Sequence, residues 1–159
     1  MSRRCLFLDR DGVINTAALK GEYIRTPDEF HLLPNIADWI RLFNAVEFLV
    51  VVVTNQRGVA LGLMTDDDLA AIHSKMLREL AGLGARIDDV FSCPHAHDAC
   101  DCRKPKPGLV YAARDKWDID LSRSLLLGDS DIDRELAANC GIPFLRVDGG
   151  RIVEGVDWA

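Results

Sequence analysis

No apolar run in this chain approaches the ~20 residues needed to cross a bilayer, so a membrane-spanning helix is not expected. There is no excess of positive charge either: 19 Lys and Arg stand against 25 Asp and Glu, a formal net charge of −6. That balance argues against non-specific binding to nucleic acid or anionic membranes, and no basic strip relieves it. Internal repeats, low-complexity segments and interdomain linkers are absent, which leaves a single domain over residues 1–159 as the expectation. Met1-Ser2-Arg3-Arg4 leads straight into the first apolar run, so a signal peptide is not expected and the cytoplasm is the expected compartment. The five cysteines are an odd number, and three of them crowd between Cys93 and Cys102. That pattern points to a metal more than to a disulfide framework.

What is present alternates between strand and helix signals. Apolar or β-branched runs at Cys5–Leu8, Glu47–Val53, Ile87–Phe91, Ser124–Leu127 and Pro143–Val147 read as buried strands. Between them, Ile36, Trp39, Ile40 and Phe43 mark one helix face, and Thr65 caps a helix that runs to about Ala81. Pro107 opens a helix that ends at Trp117, and Asp131–Asn139 is a helix stopped by Gly141. Residues 16–34, with Gly21, Pro27 and Pro34, read as a surface loop. The expected fold class is α/β: a Rossmann-like three-layer sandwich with a five-stranded, mainly parallel sheet and no cap domain.

Two of these strands end in acidic turns. Asp9-Arg10-Asp11-Gly12 follows the first and Gly128-Asp129-Ser130-Asp131 follows the fourth, at the sheet edge where open α/β folds put their ligands. If the two strands are neighbours, Asp9 and Asp129 meet. With the backbone carbonyl of Asp11 they would make the all-oxygen site that Mg²⁺ prefers. Asp131 reads as a helix cap, and Asp133 either as a cap or as a support for the metal ligands. Thr54-Asn55-Gln56-Arg57 after the second strand is either a phosphate-holding turn or an ordinary polar one. Arg103-Lys104-Pro105-Lys106, just before a helix start, is either an anion grip or a solvated basic turn.

Taken together, Asp9-Arg10-Asp11-Gly12-Val13, Thr54-Asn55-Gln56, Lys104-Pro105 and Gly128-Asp129 stand in the order and spacing of the four motifs of the haloacid dehalogenase-like phosphatases. The resemblance covers roughly residues 5–147. It is closest to the branch that holds the heptose 1,7-bisphosphate 7-phosphatases and the histidinol-phosphate phosphatase domains, through Cys93-Pro94-His95 and Cys100-Asp101-Cys102-Arg103-Lys104-Pro105. It implies a Mg²⁺-dependent phosphomonoester hydrolase acting on a small phosphorylated sugar, expected to be a monomer with neither nucleic-acid nor membrane partners. In that scheme Asp9 is the nucleophile and Asp11 the general acid and base, while Thr54 and Lys104 hold the phosphoryl oxygens. Arg10, Asn55, Gln56, Arg57 and Arg103 are expected to contact substrate, and Asp9, Asp11 and Asp129 to bind Mg²⁺.

Cys93, His95, Cys100 and Cys102 have the ligand set of a closed, structural Zn²⁺ site that folds the loop delivering Arg103 and Lys104. Free thiols or a disulfide are the alternatives, with His97 a spare and Cys5 and Cys140 core residues. Two local features divide the branch. The four residues between His95 and Cys100 are nearer to the histidinol-phosphate type, whereas Lys104-Pro105-Lys106-Pro107-Gly108 and Thr54–Gly62 look heptose-like. Ser130 stands where the branch carries Lys or Arg, and Arg57 or Lys106 are the nearby cations that would compensate. Without a cap, specificity is expected from loops 16–25, 57–64 and 93–106.

Overall fold

The computed structural model describes residues 1–155, so the last four residues of the expected 1–159 domain lie outside the described residues. Strand β1 (Cys5–Leu8), β2 (Leu49–Asn55), β3 (Asp89–Cys93), β4 (Leu125–Gly128), β5 (Phe144–Asp148) and β6 (Arg151–Glu154) form one sheet in the order β3-β2-β1-β4-β5-β6. The first five pair in parallel and β6 runs antiparallel to β5. All of β1 and β4 and the first six residues of β2 are buried, as parallel strands covered on both faces must be.

Side-chain alternation divides the core into two layers. Leu6, Leu8, Val50 and Val52 face α1 (Ile36–Ala45) and α2 (Asp66–Gly82). Cys5, Phe7, Val51 and Leu126 face α3 (Gly108–Trp117) and α4 (Asp131–Cys140). The result is the three-layer α/β sandwich, with no cap domain among the described residues. None of its helices is long and apolar enough to cross a membrane. α2 opens with a capping box, Thr65 Oγ1 accepting from the Asp68 N–H at 3.0 Å and Asp68 accepting from the Thr65 N–H at 2.9 Å.

The sheet has six strands where five were expected. The sixth follows Asp148-Gly149-Gly150-Arg151, a two-residue hairpin with φ of 56° and 86° at the glycines, the backbone that a Gly-Gly turn favours. β2 and β3 also sit two residues further along than the apolar runs indicate. Glu47 takes a left-handed φ of 64° in the turn before β2. At the other end Thr54 and Asn55 continue the ladder against Ser92 and Cys93. Polar residues that extend a buried strand are invisible to apolar periodicity, and here they bring Asn55 and Cys93 to the edge that carries the chemistry.

The 16–34 loop is irregular apart from a 3₁₀ turn at Pro27–Glu29. Phe30 anchors it with no exposed surface, and Lys75 of α2 donates to the carbonyls of Pro27 and Phe30 at 2.7 and 3.0 Å. Phe30→Ala should therefore lose about 3–5 kcal/mol of stability, read as a lowered denaturation midpoint at constant slope.

Candidate active site

The turn after β1 is where the site begins. Asp9 Oδ1 accepts from the Arg10 N–H at 2.8 Å and from Lys104 Nζ at 2.9 Å. Lys104 Nζ also donates to Asp133 Oδ1 at 2.7 Å, with both side chains buried. Asp9, Asp129 and Asp133 each bring a carboxylate oxygen within 4.8 Å of the others. β1 lies between β2 and β4, with Leu8 opposite Val52 and Leu127, so the two acidic turns meet at the carboxyl edge. They approach so closely that a Cβ on Gly12 would lie 1.9 Å from Asp129 Oδ2; Gly12 has φ +85°, which glycine alone adopts freely.

Charge in this cluster is out of balance. Burial pushes the Asp9 carboxyl well above the usual carboxylate range; Lys104 opposes that, and Asp133, Asp129 and Asp11 add to it. Asp129 is raised as well, by burial and then by Asp133. Burial pulls on the Lys104 ammonium, but Asp9 and Asp133 outweigh it and hold Lys104 charged. One ammonium among three carboxylates leaves a deficit of positive charge, and an oxygen-only donor set suits a hard divalent cation such as Mg²⁺.

The second strand end supplies the surrounding donors. Gln56 Nε2 reaches both Asp11 Oδ2 at 3.1 Å and Thr54 Oγ1 at 3.0 Å. Asn55 gives its side-chain NH₂ to the Lys104 carbonyl at 3.2 Å and accepts the Lys104 N–H at 3.0 Å. Both ends of the Asn55 amide thus hold the lysine backbone, and Gln56 is buried. Arg10 has no exposed side-chain surface; its Nε and Nη2 donate to Asp11 Oδ1 at 3.2 and 2.9 Å. Arg10, Asn55 and Gln56 were expected to contact substrate; here Arg10 Nε and Nη2, both ends of the Asn55 amide and Gln56 Nε2 meet protein groups. Arg57 Nε and Arg103 Nη1 are buried without a hydrogen-bond partner among the described residues.

The cysteine-rich loop brings Cys93, His95, Cys100 and Cys102 into one group, with His97 outside it. Cys93 Sγ lies 3.4 Å from both His95 Nδ1 and Cys100 Sγ, and His95 Nδ1 lies 3.3 Å from Cys102 Sγ. The edges of a tetrahedron with zinc bond lengths are roughly 3.5–3.8 Å, so the group needs little adjustment to hold Zn²⁺. All five cysteines are free, and Cys5 and Cys140 lie in the core as expected. Lys106 Nζ donates to the Cys100 carbonyl at 2.8 Å. Arg146 of β5 lies over the acidic turn, donating to the Asp129 carbonyl at 3.2 Å.

A cavity of about 450 Å³ opens beside the carboxylates, lined by Gly12, Thr16, Asp129 and Arg146. It meets at Ala17 a second groove formed by residues 17–25 and Leu63. Asp133, buried under this floor, binds Lys104 and the hydroxyl of Ser130. Asp133→Ala would leave the lysine against a hole and is expected to cost about 3–5 kcal/mol, measured by equilibrium unfolding.

A family model for HAD-hydrolase-like proteins matches residues 101–154. The chain is 43% identical over 155 residues to the D-glycero-beta-D-manno-heptose-1,7-bisphosphate 7-phosphatase of Rhodopseudomonas palustris, covering 92% of this chain and 84% of that one. It is 36% identical over 145 residues to the D-glycero-alpha-D-manno-heptose-1,7-bisphosphate 7-phosphatase of Campylobacter jejuni, covering 91% and 82%. The D,D-heptose 1,7-bisphosphate phosphatase of B. bronchiseptica, solved with magnesium and phosphate, superposes with a TM-score of 0.86 at 37% identity, covering 96% of this chain and 90% of that one. On these similarities the chain belongs to the D-glycero-D-manno-heptose 1,7-bisphosphate 7-phosphatase family of haloacid dehalogenase-like hydrolases.

Proposed function

We propose that the chain removes the 7-phosphate of a D-glycero-D-manno-heptose 1,7-bisphosphate through a phosphoenzyme on Asp9. The observation that carries this reading is the meeting of Asp9, Asp11, Thr54, Lys104 and Asp129 at one sheet edge, linked by the Lys104–Asp9 pair at 2.9 Å and the Gln56 bridge. Asp9, Asp129 and the Asp11 backbone carbonyl would hold Mg²⁺, which when bound supplies positive charge against the phosphoryl oxygens. The setting we assign is one cytoplasmic, monomeric domain with no nucleic-acid or membrane partner.

In the first step an Asp9 oxygen forms a bond to phosphorus as the bond from phosphorus to the ester oxygen breaks. Its electron pair stays with that oxygen, which takes a proton from Asp11 and leaves as the alcohol. In the second step Asp11, now a carboxylate, removes a proton from water. The water oxygen bonds to phosphorus and the Asp9–phosphorus bond breaks, releasing phosphate. The Thr54 hydroxyl and the Lys104 ammonium hold the phosphoryl oxygens throughout. The buried Arg57 and Arg103 N–H groups, unmet within the described residues, suit the remaining anionic oxygens of a bisphosphate.

Phosphate release with Mg²⁺ tests the reading. Both anomers of heptose 1,7-bisphosphate, fructose 1,6-bisphosphate, histidinol phosphate and a DNA 3′-phosphate would be compared. Release of one equivalent from a heptose ester, well ahead of the other compounds, is the expected result; a preference for histidinol phosphate would displace the heptose assignment. Asp9→Asn should lower turnover by at least about 10³-fold while keeping the melting temperature close to wild type. Activity retained in that variant would remove the phosphoenzyme.

For the cysteine loop we propose a structural Zn²⁺ held by Cys93, His95, Cys100 and Cys102, on a single domain with this loop at 93–102. Elemental analysis should find about one zinc per chain. A Cys100→Ser variant should lose zinc and activity together, because the loop also carries Lys104.

A further inference from the structure

His73, on α2, is a partly buried titratable side chain that the steps above do not use. Its Nε2 lies 3.1 Å from Arg10 Nη1, although the two residues are 63 positions apart. A guanidinium has donors and no acceptor, so His73 Nε2 accepts and the ring proton belongs on Nδ1. Burial first, and then the charge of Arg10, pull the imidazole down to about 4, which agrees with a neutral ring. The faces around it are set by Arg10 and, beyond it, Asp11, whose charge acts in the opposite sense.

The other side of the same guanidinium determines how Asp11 can work. Arg10 gives Nε and Nη2 to Asp11 Oδ1 at 3.2 and 2.9 Å, and Asn15 Nδ2 adds a third donor there at 2.9 Å. Among the described residues, Asp11 Oδ2 receives Gln56 Nε2 alone, at 3.1 Å. An oxygen that already accepts three N–H groups has no lone pair left for a proton; its partner has.

We propose that His73 is a positioning residue for proton transfer: by accepting from Arg10 Nη1 it fixes the guanidinium, which with Asn15 occupies Asp11 Oδ1 and leaves Oδ2 as the atom that delivers the proton to the departing oxygen. This rests on the acid–base role proposed above for Asp11. His73 touches neither substrate nor the reacting atoms. Its effect passes through Arg10, whose buried Nη1 would lose its acceptor and whose fork would then be free to turn away from Oδ1.

Leaving-group dependence tests it. A sugar alkoxide needs a proton to depart, whereas p-nitrophenolate is stable without one. A defect in proton delivery therefore slows the first ester and largely spares the second. With His73→Leu, the single-turnover rate of phosphoryl transfer from heptose 1,7-bisphosphate to Asp9 should fall about tenfold, part of the 10²–10⁴ that a general acid contributes. The same first-step rate on p-nitrophenyl phosphate should stay within about twofold, as should affinity for the sugar ester, while hydrolysis of the phosphoenzyme, common to both esters, is measured separately. His73→Gln, which returns an acceptor oxygen near the Nε2 position, should recover most of the loss. Should His73→Leu not fold, His73→Ala carries the same comparison without added bulk. Equal losses on both esters, no loss on the sugar ester, or no recovery with Gln would overturn the role of His73. A wild-type protein that releases phosphate from neither ester would remove instead the reading of Asp11 on which it depends.

Discussion

Lys104 Nζ sits between Asp9 and Asp133 at 2.9 and 2.7 Å, almost wholly removed from water, and the rest of the site is arranged by what that buried ammonium requires. A charge so placed is tolerated because each neighbour is an acceptor in contact with it. Its own backbone cannot drift, since Asn55 holds the Lys104 N–H and C=O at once. The cysteine loop lies immediately before it in the chain. Next to that loop, β2 is followed by the Gln56 N–H donating to the Cys93 carbonyl at 2.7 Å. Lysine, strand end and cysteine loop are therefore parts of one rigid corner.

Against that corner, two aspartates two positions apart acquire different chemistry. Asp9 faces Lys104, Asp129 and Asp133, in a volume where carboxylates outnumber cations and a divalent metal would restore the balance. Asp11 instead faces Arg10, Asn15 and Gln56, a shell of donors that orients it. The strand's alternation would put the two side chains on the same face. The turn at Gly12, with its left-handed backbone and missing side chain, admits the Asp129 carboxylate beside the motif. One motif of four residues thus gives two carboxylates different surroundings, which suits the different roles proposed for them.

Much of this was legible in the sequence, and what was not has a common cause. Buried parallel strands announce themselves as apolar runs, so β1, β2 and β4 and the acidic turns after them were readable, as were the Thr65 cap and the Gly141 stop. The contacts that Arg10, Asn55 and Gln56 make within the protein were not. A polar side chain beside an acidic turn does not announce in sequence which group it will meet; the partners lie 45 to 63 residues away. His73 carried no signal at all, sitting in an amphipathic helix where one more polar residue is unremarked. β6 did carry one, the Gly-Gly pair with β-branched residues after it, but its strand is exposed along its length and lacks the apolar run that marked the others.

Ser130 brings these strands of reasoning to one residue. The branch places a Lys or Arg there, and its absence first reads as a lost phosphate contact. In the structure Ser130 caps α4, accepting the Asp133 N–H at 3.3 Å and giving its hydroxyl to Asp133 Oδ2 at 3.1 Å. A long cationic side chain has no short oxygen with which to cap. The serine therefore exchanges a mobile charge at the mouth of the site for a fixed orientation of Asp133, and through Asp133 of Lys104. Positive charge returns to the same turn from the next strand, where Arg146 donates to the Asp129 carbonyl and pairs with Asp131 and Glu154. Because Arg146 is held by two carboxylates, it offers the turn less free charge than an unpaired lysine would. On the reading proposed above, grip on the far end of a bisphosphate falls to Arg57 and Arg103, whose buried Nε and Nη1 have no hydrogen-bond partner among the described residues.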